Sequence, residues 1–350
     1  MALPKNIVEK IALIVIKTLV GRFASFPANT ESMRNAPFHE AFLKAFSDHL
    51  AGKQIDSAVL ITFGSWLHGL NTTLGMVFFE KTAHILSYGD KRELKGGLIS
   101  ENQFSSINEI ITKLKNSESH PCLASEDEMI SDPRGNHTSN APNFTADVFI
   151  QDSDNIVAIE IKSVKPNSGE MRSEKHKILL GKAVLKNMYP SMSIKYFIGF
   201  PFDPTVKRPE EDECSSDKQR FLTNIVDGHK YFDFEEILLA EEMWDFLSGD
   251  TNTMKQILGI INTISTIEFM NIYEKIKYPE IVSRDTRLKL LTDWYMYSEA
   301  ELVENEQAIL DSTARSKNIE RVYRNSCFDK DGKYNLDRYI ILKEAIDHKI

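Results

Sequence analysis

The chain has 350 residues, of which 42% are hydrophobic and 27% are charged, and its formal net charge is -9. This balance is that of a soluble globular protein and excludes a disordered or collagen-like chain. The acidic sum counts mildly against a broadly basic nucleic-acid-binding surface, although the position of cations around a cleft matters more than their number. The three cysteines lie far apart and form no CxxC pair, so they predict neither a disulfide framework nor a zinc site.

The most apolar stretch, residues 10–20, is predicted to form an amphipathic helix. It contains Lys10 and Lys17 and is too short to span a bilayer. It lacks a basic leader and a small-residue cleavage site, so we expect a cytoplasmic protein that does not bind a membrane. A second helix is expected near residues 39–50.

Residues 116–143 differ from the sequence before them. They are rich in Ser, Asn, Asp and Pro and have few periodic apolar positions. This composition predicts a long loop that becomes ordered when a ligand binds.

A compact strand-rich segment follows the predicted loop. Residues 144–150 and 156–162 are β-branched and aromatic runs separated by a polar turn, which predicts a hairpin. Residues 171–189 have the apolar spacing of one helix face, and Pro190 ends this helix. A third strand is predicted at residues 194–200.

The remaining chain is predicted to be a loop at residues 207–217 and then mostly helices. The expected fold class is α+β, in which a small mixed sheet flanked by helices carries the chemistry. We divide the chain into a helical region at residues 1–115, a core with its preceding loop at residues 116–220 and a helical region at residues 221–350.

Three charged residues of the predicted hairpin suit a metal-dependent hydrolase. Glu160 and Lys162 leave the same face of their strand about 7 Å apart, and the hairpin brings Asp147 beside Glu160. Two carboxylates suit a hard cation such as Mg²⁺, and a neighbouring lysine can orient or deprotonate a water molecule and offset transition-state charge. Phosphodiester hydrolysis needs these parts. The alternative is a surface hairpin on which all three side chains are solvated or paired.

The helix after the hairpin carries a row of basic side chains. Arg172, Lys175, Lys182 and Lys186 fall on one side of it. Such a row could follow a phosphate backbone. The alternative is that the row is the solvated face of an amphipathic helix.

Four segments, with the Glu-Ile-Lys motif that ends the hairpin, resemble the TdeIII/MjaII-type family of type II restriction endonucleases. The segments are residues 35–40, 63–66, 73–80 and 168–180. The resemblance implies a PD-(D/E)XK nuclease core in a homodimeric, Mg²⁺-dependent enzyme that cuts a short sequence of double-stranded DNA and leaves 5′-phosphate ends. It also implies a cognate DNA methyltransferase in the same restriction-modification system. The chain has Ala146 where the motif has proline, a residue without a chemical role.

Glu80 is a further candidate because its predicted helix is apolar nearly all round. Related nucleases often place a glutamate of an early helix beside the metal, so Glu80 is expected to complete the site directly or through water. An ion pair with His84 or Lys81 explains the residue equally well.

These considerations give the predicted site residues. The catalytic candidates are Asp147, Glu160, Lys162 and Glu80. The expected metal ligands are Asp147, Glu160 and the backbone carbonyl of Ile161. The expected DNA contacts are Lys165, Asn167, Ser168, Arg172 and Lys175.

Two other functions remain open at this point. One is a DNA repair or recombination nuclease that recognises structure and not sequence. The other is a non-catalytic DNA-binding protein of the same fold, against which the intact Asp147, Glu160 and Lys162 argue. The sequence does not determine which side chains read bases. One candidate is the loop at residues 116–143, with Arg134, Asn136, His137 and Asn140, and the other is residues 168–175.

Overall fold

The computed structural model describes residues 2–27, 43, 57–131, 138–163, 165–206, 215–313 and 317–347. The helix expected near residues 39–50 lies outside this set apart from Leu43, and so do Arg134, Asn136 and His137. Residues 1–3 and 79–258 form one compact unit, and residues 4–78 and 259–350 form another. Both ends of the chain contribute to the second unit.

All described strands lie in the first unit. They are β1 (Asp90–Leu94), β2 (Leu98–Ser100), β3 (Thr138–Asn140), β4 (Phe144–Gln151), β5 (Asn155–Ile161), β6 (Ser193–Phe200) and β7 (Ile237–Leu239). Five of them form a mixed sheet in the order β1-β4-β5-β6-β7, while β2 pairs with β3. Within the sheet β4 is antiparallel to β1 and β5, and β6 is parallel to β5 and β7.

Besides a short 3-10 helix (Phe234–Glu236), the first unit contains seven described α-helices and the start of an eighth. The first two helices of the chain, α1 (Lys5–Ala24) and α2 (Ser57–Thr73), belong to the second unit. The helices of the first unit are α3 (Glu80–Ser87), α4 (Glu101–Lys115), α5 (Leu123–Ile130), α6 (Ser168–Met188), α7 (Lys218–Asn224), α8 (Gly228–Tyr231) and α9 (Glu241–Ser248), and α10 (Thr253–Ile264) starts there.

Helices cover both faces of the sheet in the first unit. On one face α6 packs against β6, where a Cβ on Gly181 would lie 2.5 Å from the ring of Tyr196. On the other face Gly199 of β6 lies against Met243 of α9. The expected α+β class with a mixed sheet between helices is confirmed, as are the hairpin, the helix and the third strand.

Three secondary-structure predictions were wrong. β1 lies in a segment expected to be helical, and its sequence is highly charged because it is an exposed edge strand. The expected loop at residues 116–143 contains α5 and β3, and Glu126 and Ile130 of α5 are buried. β7 interrupts the C-terminal segment that was expected to be helical.

The regular elements that the structure describes in the second unit are all helices. Beyond α1 and α2 it contains the end of α10 and the helices α11 (Phe269–Ile276), α12 (Arg284–Asp293), α13 (Tyr297–Glu304), α14 (Glu306–Thr313), α15 (Lys317–Arg324) and α16 (Leu336–Asp347). The buried Glu299 of α13 accepts hydrogen bonds from Arg287 and Arg338, each at 2.8 Å. This paired charge stabilises the arrangement of α12, α13 and α16, because a buried carboxylate without partners is costly.

The predicted N-terminal helix is α1, and it buries Ile7, Ile11 and Val15 along one face. Among the helices that the structure describes, none combines the length and the apolar character that crossing a membrane requires.

Candidate active site

The hairpin brings Asp147 and Glu160 together. The register of β4 and β5 runs from Gln151 opposite Ile156 to Val148 opposite Ile159, so Asp147 and Glu160 follow at the same end. The backbone N–H of Ile161 donates to the Asp147 carboxylate at 3.0 Å. This bond fixes one carboxylate oxygen of Asp147 beside the last residue of β5.

Glu160 is a buried acid with two lysine partners. Its side chain is 7% exposed, and the ammonium of Lys177 on α6 lies 2.5 Å from its Oε2. Lys162 lies 3.4 Å from its Oε1. Burial and then the negative charge of Asp147 raise the pKa of Glu160, because both disfavour its carboxylate form.

Lys162 stands directly after β5 and faces the same helix. Its backbone N–H donates to the carbonyl of Gly199 at 2.8 Å, which extends the parallel pairing with β6. Its ammonium lies 2.8 Å from Glu174 of α6. Burial by itself lowers the pKa of Lys162, but the carboxylates of Glu174 and Glu160 outweigh burial and raise it. The ammonium form is therefore favoured.

Glu80 is the first residue of α3, and its carboxylate shares a lysine partner with that of Asp147. Lys91 of β1 is 2.8 Å from the Glu80 carboxylate and 3.5 Å from that of Asp147. The register of β1 and β4 shifts between Asp90 and Arg92, so Lys91 stands at an irregularity of the kind that redirects side chains near active sites. The structure thus brings Glu80 into the same charged cluster as the hairpin residues.

The pairing of Glu80 with His84 is not the one that the structure shows. The ring Nε2 of His84 lies 2.7 Å from the backbone carbonyl of Asp147. Glu80 pairs with Lys91. His84 therefore contacts the backbone of Asp147, which is itself a catalytic candidate.

The site fits a divalent cation by the chemistry of its donors. Among the described residues no three His, Cys, Asp or Glu side chains converge as a ready-made metal cage. The carboxylates of Glu80, Asp147 and Glu160 each have a lysine ammonium as a partner instead. Carboxylate oxygens are the donors that Mg²⁺ prefers, and a cation would relieve the repulsion between Asp147 and Glu160.

Four of the five expected DNA contacts lie at or near the surface at the start of α6. Lys165 and Asn167 are exposed, and Ser168 and Arg172 are half-buried. Asn167 caps α6, because its side chain accepts the N–H of Glu170 at 3.0 Å. Ser168 donates to the carboxylate of Asp227.

Lys175 does not meet the expectation that it contacts DNA. Its side chain is fully buried, and its ammonium pairs with Glu126 of α5 and lies 2.6 Å from Glu236. Lys182 is also buried and pairs with Asp127 at 3.1 Å. The expected basic row is therefore partly an internal cluster of ion pairs, which a helical wheel cannot distinguish from a surface row.

Sequence reasoning missed Lys91, Glu174 and Lys177. Lys91 lies in a strand that had been predicted as helix. Glu174 and Lys177 belong to the predicted helix, and they repeat the order Glu-then-Lys of Glu160 and Lys162. That repeated order is the one sequence signal that could have singled them out.

The comparisons with known proteins assign the chain to a class. The family model for the type II restriction endonuclease HinfI matches residues 3–265. The chain therefore belongs to the HinfI family of type II restriction endonucleases, which makes it a site-specific deoxyribonuclease, as the sequence predicted.

A particular relative supports the same class. The chain is 39% identical to the type II restriction enzyme MjaII of Methanocaldococcus jannaschii, and the match covers 98% of each chain. The resemblance seen in the sequence is thereby confirmed. Of the functions left open, the restriction enzyme is the one that both comparisons support.

Proposed function

We propose that this chain hydrolyses phosphodiester bonds of double-stranded DNA at a specific sequence, depends on Mg²⁺ and leaves 5′-phosphate ends. The observation that carries the proposal is the meeting of Asp147, Glu160 and Lys162 at one end of β4 and β5, with Glu80 in the same cluster. In this proposal the cluster is a PD-(D/E)XK active site. Ala146 stands where the motif has proline, and this difference does not affect the chemistry because the proline has no chemical role.

In this proposal Asp147, Glu160 and the backbone carbonyl of Ile161 hold Mg²⁺, and Glu80 supports it directly or through water. A bound Mg²⁺ supplies a polarised water and a positive charge next to the scissile phosphate. Asp147 is preoriented for this task by the N–H of Ile161. Burial of Glu160 limits its hydration, so its charge acts strongly on a neighbouring cation.

Lys162 acts in this proposal as a positioned cation. Its carboxylate neighbours favour the protonated form, and an ammonium next to the scissile phosphate stabilises charge that develops in the transition state. The same ammonium can donate a hydrogen bond that orients the attacking water.

The surface at the start of α6 is proposed to contact DNA. Lys165 and Asn167 are exposed directly after the catalytic strand, and Arg172 follows one turn into the helix. Cations and amides of this kind bind phosphates and set the register of a protein on a duplex. Ser168 remains in this set, whereas Lys175 is left out because it is buried.

The proposal includes a homodimer, because a palindromic site presents its two strands in twofold symmetry and each subunit can then cut one strand. It also includes a cytoplasmic location and a cognate DNA methyltransferase that is not a stable subunit. Light scattering of the free protein and of its complex with cognate DNA tests the dimer. A monomer in both samples would contradict it.

Digestion of a phage-sized DNA with Mg²⁺ tests the proposed activity. Discrete bands with ends that T4 ligase joins directly support sequence-specific hydrolysis to 5′-phosphates. A smear of fragments would overturn the proposed sequence specificity. Identical digestion patterns for the native protein and for Asp147→Asn would overturn the proposed active site.

A further inference from the structure

Helix α6 contacts both members of the catalytic strand motif. Glu174 lies 2.8 Å from the ammonium of Lys162, and Lys177 lies 2.5 Å from the carboxylate of Glu160. The helix therefore places a carboxylate beside Lys162 and an ammonium beside Glu160. Glu160 and Lys162 thus each have a partner of opposite charge that lies on α6 and is distant along the chain.

The geometry of the two elements makes this match specific. Glu160 and Lys162 are two strand residues apart, which separates them by about 7 Å. Glu174 and Lys177 are three helix residues apart, which places them on one face with a rise of about 4.5 Å. Long side chains span the difference, so both contacts form only when α6 has one particular rotation on the sheet.

The burial of these groups gives the contacts weight. The side chains of Lys162, Glu174, Lys177 and Glu160 are exposed by 27%, 15%, 29% and 7%. Ion pairs shielded to this degree are less screened than surface pairs. Lys162 also lies 3.4 Å from Glu160, and without Glu174 this competing contact would be the one left to it.

Two buried polar atoms in and near Glu174 lack a hydrogen-bond partner among the described residues. Among the described residues, the buried Oε2 of Glu174 and the buried hydroxyl of Tyr196 have no hydrogen-bond partner. Tyr196 lies on β6, and the charges of Glu160, Asp147 and Glu174 all act on it. The pair with Lys162 therefore uses one oxygen of Glu174 and leaves the other buried beside the site.

We propose that Glu174 and Lys177 are positioning residues of the nuclease site: Glu174 draws the Lys162 ammonium to itself and keeps its contact with Glu160 as long as 3.4 Å, and Lys177 holds the Glu160 carboxylate until a divalent cation replaces its ammonium. The inference rests on the proposed function, because it takes Glu160 as a metal ligand and Lys162 as the catalytic cation. Neither Glu174 nor Lys177 is required to touch DNA.

The two residues then act on metal binding with opposite signs. Lys177→Met removes a cation that competes for Glu160, so Mn²⁺ should bind the free protein about threefold or more tightly. Glu174→Gln releases Lys162 towards Glu160, so Mn²⁺ should bind about threefold or more weakly. Isothermal titration calorimetry with Mn²⁺ and without DNA measures both.

Cleavage should fall in both variants in spite of the opposite changes in metal affinity. At saturating Mg²⁺ and DNA the single-turnover rate should decrease about tenfold or more, because the catalytic groups lose their orientation. Lys177→Arg and Glu174→Asp keep the charges and should recover part of the rate. Lys113→Met, which breaks an exposed pair with Glu109 on α4, is the matched control and should change neither quantity.

The outcomes separate this inference from the proposed function. If Asp147→Asn binds Mn²⁺ and cleaves like the native protein, the nuclease site itself is misassigned. If Asp147→Asn is inactive while Lys177→Met and Glu174→Gln keep native metal affinity and rate, the positioning role is overturned. Equal weakening of metal binding in both, with a lower melting temperature, would mean that they only hold the helix in place.

Discussion

Two lysines of α6, two residues apart, lie in different environments. Lys175 is fully buried between Glu126 and Glu236, whereas Lys177 is partly exposed and reaches Glu160. We call the residues around the first the buried cluster: Glu126, Lys175, Lys182 and Glu236. We call the residues around the second the site cluster: Glu80, Lys91, Asp147, Glu160, Lys162, Glu174 and Lys177.

The difference teaches how one helix can serve both fold and function. The buried cluster fixes α6 against α5 and the turn before β7, because its charges have no access to water and must stay paired. The site cluster is half-open, and its acids have lysine partners that a ligand can replace. Loss of the first should therefore cost stability, and loss of the second should cost activity.

The largest expected effect is in the site cluster. Asp147→Ala should abolish cleavage at any practical Mg²⁺ concentration, because the remaining carboxylates cannot fix the ion and its water against the phosphate. Circular dichroism should remain native, and DNA binding in Ca²⁺ should survive, since Ca²⁺ is expected to support binding without cleavage in the native enzyme. Cleavage by the folded variant at near the native rate would remove the site cluster from catalysis.

Lys162→Ala should have a smaller but still large effect on activity. The loss of a positioned cation should lower the single-turnover rate about 100-fold or more, with little change in the affinity for DNA. A rapid-quench assay at saturating DNA measures this rate. If affinity falls in parallel with the rate, Lys162 binds DNA and does not act on the transition state.

Lys175→Met tests the buried cluster. It leaves Glu126 and Glu236 buried without their shared cation, so the free energy of unfolding should decrease by about 3–5 kcal/mol. Urea denaturation measures the change, with Lys113→Met as an exposed control. A loss as small as that of the control would show that the two clusters do not differ in the way we describe.

The smallest expected effect concerns Glu160 and pH. Burial and the charge of Asp147 raise the pKa of Glu160 in the folded protein above its value in the unfolded chain. The folded state therefore holds this proton more readily, and the contribution of Glu160 to stability falls as pH rises between the two pKa values. Without metal, Glu160→Gln should raise the melting temperature at neutral pH by about 2 °C.

This stabilisation should vanish in acid. Below the unfolded-state pKa the native Glu160 is protonated in both states, so the native protein and Glu160→Gln should melt alike. Thermal melts from acidic to neutral pH in a chelating buffer show the trend. A variant that melts below the native protein at neutral pH would mean that the pair with Lys177 contributes more than burial costs.

Local periodicity explains the parts of the fold that were predicted. The hairpin of β4 and β5, the helix α6 and the strand β6 have strong patterns of apolar residues, and all four lie where expected. β1 and β7 were missed because they are short strands at the sheet edges, one of them highly charged. Helix α5 was missed because a buried ion pair, and not an apolar stripe, anchors it.

The sequence by itself determined that Glu160 and Lys162 share one face of a strand and that a hairpin carries Asp147 to the same end, because a strand alternates its side chains every second residue. Only the tertiary structure decided which lysines reach these carboxylates. Side chains two positions apart on a helix point about 200° away from each other. The packing of α6 on the sheet therefore directs Lys175 inward and Lys177 to Glu160. The irregularity in β1 likewise directs Lys91 to Glu80 and Asp147, a contact between positions that no local pattern connects.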